Sequence, residues 1–348
     1  MTTRARVAGI TIAAAAVSAG CGSHVLMRVE TAPMSGPCRA VEPAEREVGR
    51  WVRPSKAKDQ TRLQSWCDAV GPVVVHDPGR PQPAHPDRGL SIISWNMAVG
   101  QGDLLALLEE LRKTHPDSDV ILLLQEAYRG QTPPAQCAPG SGRAGAIGQP
   151  RPPGSEDIVA LAKRTDMYGV YVPSMRNGRD CTVEPREDRG NAILSTLPLS
   201  DVAAIELPFS QQRRVAVAAR VQLGDGAVGV ISTHFDTVHG HRAMGDALAQ
   251  TIGLLGWKAR VVVAGDFNSA LPFDSGLREL RKSFAELDCG RGPTHQAGGR
   301  LDHMFIGRQD VSFPCRTGDE RHGSDHSPLI AVFSQESQAN PRAGIPRP

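Results

Sequence analysis

Six short polar clusters punctuate this 348-residue chain, each at the end of an apolar run. They are SWNM (Ser94 to Met97), LLQEAYR (Leu123 to Arg129), STHFD (Ser232 to Asp236), GDFN (Gly265 to Asn268), LDH (Leu301 to His303) and GSDHSP (Gly323 to Pro328). Carboxylates, imidazoles and carboxamides gathered at one edge of a sheet make a site for a cation and a phosphate. Hydrolysing a phosphate ester needs a cation against developing charge, a positioned water, and donors around the non-bridging oxygens. The clusters hold residue types for all three.

Glu126 is the best metal ligand, a carboxylate at the C-terminal end of ILLLQ. Oxygen ligation suits Mg²⁺ or Mn²⁺, with Ca²⁺ also admissible. Asp266 and Asn268 sit two apart, so strand alternation puts both side chains on one face. No GxSxG motif offers a competing nucleophile. These residues point to direct attack of water on phosphorus.

In this order the clusters resemble the endonuclease/exonuclease/phosphatase family, DNase I-like metal-dependent phosphohydrolases, over roughly residues 90–333. The resemblance implies an α/β fold, a four-layered sandwich with two central mixed β-sheets flanked by helices. It implies that Asn96 and Asp325 complete or support the metal site led by Glu126. By the same resemblance Asp266 orients or deprotonates the attacking water, and Asn268 donates to a phosphate oxygen. His326 with Asp302 resembles the family's His–Asp pair, in which the carboxylate fixes the tautomer and favours a cationic ring. His234, with Asp236 two residues on, is a second phosphate donor or the acid for the leaving group. The run RGNAILST resembles the family's GNAILS segment and brings Asn191 near substrate. Arg129 and Arg189 are candidates to clamp phosphate, with a structural or solvated role as the alternative. His303 reads as structural, and His239, His241, His295 and His322 have no evident partner.

The elements that must position these clusters are legible as pattern. Strands are expected at Leu90–Asn96, Val120–Glu126, Tyr168–Pro173, Gly190–Leu194, Val215–Val221, Val228–Ser232, Arg260–Ala264, Asp302–Ile306 and Leu329–Phe333, several of them apolar on both faces. Asp103 is an N-cap for a helix whose stripe is Leu104, Leu107, Leu108 and Leu111. Further helices are expected at Ile158–Arg164, Arg242–Leu255 and Gly276–Phe284, and a hairpin turn at 224–226. Residues 130–157 form a long Gly/Pro/Ser loop, either a lid or an insert.

Four segments follow: a leader over 1–21, an N-terminal extension over 22–86, a catalytic domain over 87–334 and a disordered tail over 335–348. In the extension Glu42–Trp51 and Thr61–Cys67 read as short helices and Pro72–His76 as a strand; a disulfide-stapled flap on the core is expected. The leader has Arg4 and Arg6 and then an uncharged apolar run, Val7–Ala19, too short to span a bilayer. Its end at Cys21 looks like a bacterial lipoprotein signal, although Ser18 stands where Leu is usual. Lipidation at Cys21, cleavage and secretion, or an uncleaved anchor all follow from it, and each exports the protein. Beyond Cys21 six cysteines remain, an even count that suggests disulfides; sequential pairing gives Cys38–Cys67, Cys137–Cys181 and Cys289–Cys315.

The leader holds two Arg and no acid, which leaves 37 basic and 37 acidic residues in the rest of the chain. A neutral chain with 4% aromatic residues has no evident hold on a nucleic-acid backbone or on stacked bases. The expectation is therefore a general phosphodiesterase or phosphatase acting as a monomer on a lipid, nucleotide or nucleic-acid phosphoester, with no protein partner evident. The alternatives are an exported or envelope-bound endonuclease on DNA, and a surface binding module that has lost catalysis. The last is disfavoured because Glu126, Asp266 and His326 are all in place.

Overall fold

The apolar runs pair into two eight-stranded mixed sheets. They are seen in a computed structural model that describes residues 25–31, 41–42, 48–56, 63, 70–79, 88–130, 151–177, 187–208, 212–224, 226–257, 260–307 and 313–333. In spatial order the first sheet is β1 (Met27–Thr31), β3 (Arg50–Pro54), β9 (Leu199–Glu206), β10 (Val215–Leu223), β11 (Gly226–His234), β12 (Val261–Asp266), β14 (Asp302–Gly307) and β13 (Phe284–Glu286). The second is β15 (Cys315–Thr317), β16 (Leu329–Phe333), β5 (Gly89–Asn96), β6 (Ser118–Arg129), β8 (Asp188–Ser195), β7 (Tyr168–Arg176), β4 (Val73–His76) and β2 (Val41–Glu42). Four helices lie outside them among the described residues: α1 (Leu104–Thr114), α2 (Ile158–Arg164), α3 (His241–Leu254) and α4 (Ser275–Arg281). None is long and apolar enough to cross a membrane.

The layering explains why the central strands are apolar on both faces. Ile121 and Leu123 of β6 face inward, where they meet Val217, Val230, Val262 and Met304 of the first sheet. Their neighbours Leu122 and Leu124 face outward, onto Leu104, Leu107, Leu108 and Leu111 of α1 and Ile158 and Leu161 of α2. On the far side Ile231, Val263 and Phe305 pack under Met244 and Leu248 of α3 and Leu277 of α4. The result is the four-layered α/β sandwich that the resemblance implied. Asp103 caps α1 as expected, its Oδ1 accepting from the Ala106 amide at 2.9 Å.

Two parallel pairs position the site. β5 and β6 run side by side to the register pair Asn96↔Gln125, and β11 and β12 to His234↔Asp266. The polar clusters that end these strands therefore share one rim of the sandwich.

Some elements depart from the sequence reading. The helix expected over Glu42–Trp51 is absent at its described residues: Glu42 ends β2, and Trp51 lies in β3, which pairs with β9 and buries Trp51 and Val52. Sheet pairing here overrides local propensity. The extension thus adds β1 to β4 to the edges of both sheets. Strand β9 (LSDVAAIE) was hidden by Ala, Asp and Glu, residues that rarely favour strands. The last helix stops at Arg281, and Phe284 begins β13 instead. Cys289–Cys315 forms a disulfide; the other four candidate cysteines, the leader, most of residues 130–157, Thr61–Cys67 apart from Leu63, and the C-terminal tail lie outside the described residues.

Candidate active site

Asp266 ends β12 at the centre of the rim. Its Oδ1 accepts from the Asn268 amide at 2.8 Å and its Oδ2 from Asn96 Nδ2 at 3.0 Å. Two imidazoles face the same Oδ2, His234 Nε2 at 3.4 Å and His326 Nε2 at 3.7 Å. Burial first, and then the nearby charge of Asp302, push the Asp266 carboxyl up to about 7. A carboxyl with that affinity for a proton suits a general base near neutral pH.

The two rings carry different charges. Burial would lower His326, but the charge and hydrogen bond of Asp302, with Asp266 and Asp325 beyond, raise it to about 9. Burial, then Arg214 and His326, hold His234 well below the ordinary imidazole range. His326 is a cation near neutral pH and His234 is not. Asn268 Nδ2 lies 3.0 Å from both His234 Nε2 and the Phe235 carbonyl, so its amide hydrogens are engaged by these two acceptors. Strand alternation does not set the Asp266–Asn268 geometry. β12 ends at Asp266, and Asn268 returns to His234 through a left-handed backbone at φ 49°.

Glu126 sits at the register break between Leu124 and Ala127 in the β6–β8 pair, with φ 48°. A bulge of this kind re-aims a side chain, and a left-handed Glu costs backbone energy that functional sites commonly hold. Among the described residues nothing hydrogen-bonds its carboxylate; the nearest cation is Arg189 Nη1 at 3.7 Å. One residue earlier Gln125 is level with Asn96, whose Oδ1 accepts a single bond, from Ala98 N at 3.0 Å. A half-buried carboxylate beside a carboxamide oxygen with a spare lone pair is a hard donor set that fits an oxygen-ligated divalent cation. Ser324 Oγ braces this corner, donating to the Asn96 carbonyl at 2.6 Å and accepting from His326 N at 3.0 Å.

Asp325 is ordered by a residue that the sequence left without a partner. His295 Nδ1 accepts from Ala297 N at 3.1 Å, so Nε2 carries the ring proton, and it faces Asp325 Oδ2 at 3.4 Å. His295, Asp325 and His326 bring ligating atoms within 4.8 Å of one another. With its Nε2 protonated, His295 does not ligate through that nitrogen, so the trio is not a three-ligand metal cage, and Asp325 stays free to serve a cation. Three more histidines find partners: His303 between Glu286 and the Ser269 carbonyl, His322 on Glu110, and His241 on Asp274 and the Asp236 carbonyl.

The remaining candidates divide. Arg189, which also donates from Nε to Asn177 Oδ1 at 2.8 Å, stands at Glu126. Asn191 donates to the Val215 carbonyl at 2.7 Å and ties the two sheets together at the rim. Arg129 is committed elsewhere, its Nη2 donating to Glu42 on the edge strand at 2.6 Å. Asp236 accepts from Gln212 N at 3.0 Å and Val238 N at 3.3 Å and shapes the loop after β11.

The sequence reading missed Arg214. Its guanidinium is buried, feels the carboxylates of Glu126, Asp266 and Asp236, and holds a buried Nε with no hydrogen-bond partner among the described residues. The signal was the doublet Arg213–Arg214 just before β10. Alternation sends the two to opposite faces: Arg213 pairs with buried Glu206, and Arg214 reaches the site.

The profile of the Endonuclease/Exonuclease/phosphatase family matches residues 93–326, which run from inside β5 to His326 and take in every candidate above. The chain belongs to that family. Membership makes it a phosphoester hydrolase of the α/β-sandwich class, among relatives that generally use divalent metals. Solved structures are similar at low identity. The human Nocturnin catalytic domain with bound sulfate is 18% identical with a TM-score of 0.49, covering 74% of this chain and 99% of its own. A family protein from Leptotrichia buccalis is 14% identical with a TM-score of 0.49, covering 70% and 99%. A mannosyl-6-phosphatase from Bacteroides thetaiotaomicron is 14% identical with a TM-score of 0.47, covering 70% and 98%. No curated protein matches the sequence.

Proposed function

We propose that this chain is a divalent-metal-dependent phosphodiesterase or phosphatase that cleaves by direct attack of water. The observation that carries the reading is the buried Asp266 carboxylate flanked by one neutral and one cationic imidazole. Asp266, with both oxygens oriented by Asn268 N and Asn96 Nδ2, takes the proton from the water. His326, held by Asp302, places positive charge against the phosphoryl oxygens and carries the proton for the leaving oxygen. His234, neutral, is a hydrogen-bond partner rather than the acid. Arg214 and Arg189 supply further cationic donors to the phosphate.

Glu126 and Asn96, with Asp325 on the neighbouring loop, would hold the cation, Mg²⁺ or Mn²⁺. When bound it neutralises charge on the phosphate and lowers the cost of ionising water. Export with an anchor at Cys21 completes the proposal, supported by the apolar leader and by the Cys289–Cys315 disulfide.

Hydrolysis of bis-p-nitrophenyl phosphate tests this reading. Release of p-nitrophenol should require Mg²⁺ or Mn²⁺ and vanish in Glu126→Ala and His326→Ala. Equal release in the presence of a chelator, or from both variants, would overturn it.

A further inference from the structure

Exposed apolar side chains collect beside this site. Among the described residues six large hydrophobics are exposed, and three of them, Val238, Leu271 and Phe273, lie on the two loops that leave β11 and β12. Those strands end in His234 and Asp266. Phe273 is 67% exposed and Val238 61%. Residues 237–240 and 270–273 are all exposed, and neither run contains Asp, Glu, Lys or Arg. His241 clamps the two loops together, with Nδ1 2.9 Å from Asp274 Oδ2 and Nε2 on the Asp236 carbonyl. Together they form one apolar ridge at the lip of the site, with Arg281 on the Pro272 carbonyl and exposed Arg242 behind its base.

The path of the N-terminus indicates what covers the ridge. Thr233 is level with Ala216, Ala216 with Ile205, and Ile205 with Val52 of β3. Met27 pairs with Pro54, two residues further toward the rim. Val25 and Leu26, which lead into β1, therefore stand on the rim that carries the site, four strands from β11, or roughly 20 Å across the sheet. Leu26, 64% exposed, adds apolar surface there. Cys21, the expected acyl position, stands four residues before Val25.

We propose that this rim docks on a lipid surface, with Val238, Leu271 and Phe273 entering the interface and the catalytic cleft opening onto phosphoesters presented there. The proposal rests on the phosphoester-hydrolase reading for the reaction, but not for the docking. A nucleic-acid backbone would call for Lys and Arg on these loops, and they have none. An apolar ridge gains instead by leaving water for the acyl boundary.

The test uses the full chain with one reporter on the ridge, Phe273→Trp, and one at the far end of α3, Leu254→Trp, about 20 Å along that helix. Each is read as a difference from wild-type emission on phosphatidylcholine vesicles with and without brominated acyl chains. Expected are a blue shift and bromine quenching at position 273 and neither at 254. A triple Val238→Ser, Leu271→Ser, Phe273→Ser variant should keep its rate on soluble bis-p-nitrophenyl phosphate. On hexadecyl p-nitrophenyl phosphate held in vesicles it should lose about tenfold or more. An unquenched position 273 on vesicle-bound protein would overturn the proposal, as would equal quenching at both positions. So would a shift at 273 produced by duplex DNA, or by raising protein concentration without lipid. Failure to cleave either chromogenic ester would sink the hydrolase reading while leaving the quenching result to decide the docking.

Discussion

His326 Nδ1 lies 2.8 Å from Asp302 Oδ2, in a pair almost wholly buried. The contact fixes which nitrogen of His326 faces Asp302 and leaves Nε2 turned toward Asp266. It also holds the charge on which the proposed chemistry depends.

Asp302→Asn keeps the shape of that contact and removes the charge. The His326 ring then falls from about 9, with only Asp266 and Asp325 left to oppose burial. The cationic ring is lost in wild type only as pH rises through about 9; in the variant it is lost at lower pH. The rate at pH 7.5 should drop by roughly 10²–10⁴, with the alkaline limb of the kcat profile moved acidward. Stability follows the same sign. A raised ring stabilises the fold fully below its unfolded value, and that contribution disappears as pH climbs through about 9. The gap in Tm between wild type and variant should therefore close above that pH.

Glu126 holds a left-handed backbone that a glycine accepts without strain. Glu126→Gly and Glu126→Ala should both lose metal-dependent activity, but the glycine variant should be more stable than the alanine variant by about 1 kcal/mol. Urea unfolding of the two variants side by side checks this. Equal stability would mean that the bulge, and not the residue's backbone, absorbs the strain.

Arg214 and Arg213 are sequence neighbours with opposite duties. Arg214→Met should lower kcat/KM by about 10²–10³, as loss of one charged donor to the transition state does, and should weaken inhibition by inorganic phosphate. Steady-state kinetics with phosphate as inhibitor measures both effects.

Arg213→Ala should act through stability instead. It leaves Glu206 buried without its cation, at a cost of about 3–5 kcal/mol. A thermal melt reads the loss. The rate per folded molecule should change far less than in the Arg214 variant.

Much of this arrangement was legible in the order of residues. The runs before Asn96, Glu126, His234 and Asp266 are apolar on both faces because helices cover each sheet, and such runs stand out. Their polar endings marked the rim. What stayed hidden depends on long-range pairing. Trp51 sits in a segment of helix-like composition, and it becomes a strand by pairing with Glu30 of β1 on one side and with β9, some 150 residues later, on the other. Arg214 reaches the site from a strand with no polar cluster of its own. His295 acquires its role from Asp325 across two loops. Asn268 shows a different limit. Its place in the site was readable, but the left-handed turn that delivers it was not.

The most direct test of the central claim is a single-turnover reaction of the full chain with bis-p-nitrophenyl phosphate and Mg²⁺ in ¹⁸O-water. Attack of a water positioned by Asp266 predicts one ¹⁸O in the p-nitrophenyl phosphate, none in the p-nitrophenol, and no turnover in Asp266→Asn. Label in the phenol oxygen, a first turnover that leaves the phosphoryl product unlabelled, or full activity in Asp266→Asn would contradict it.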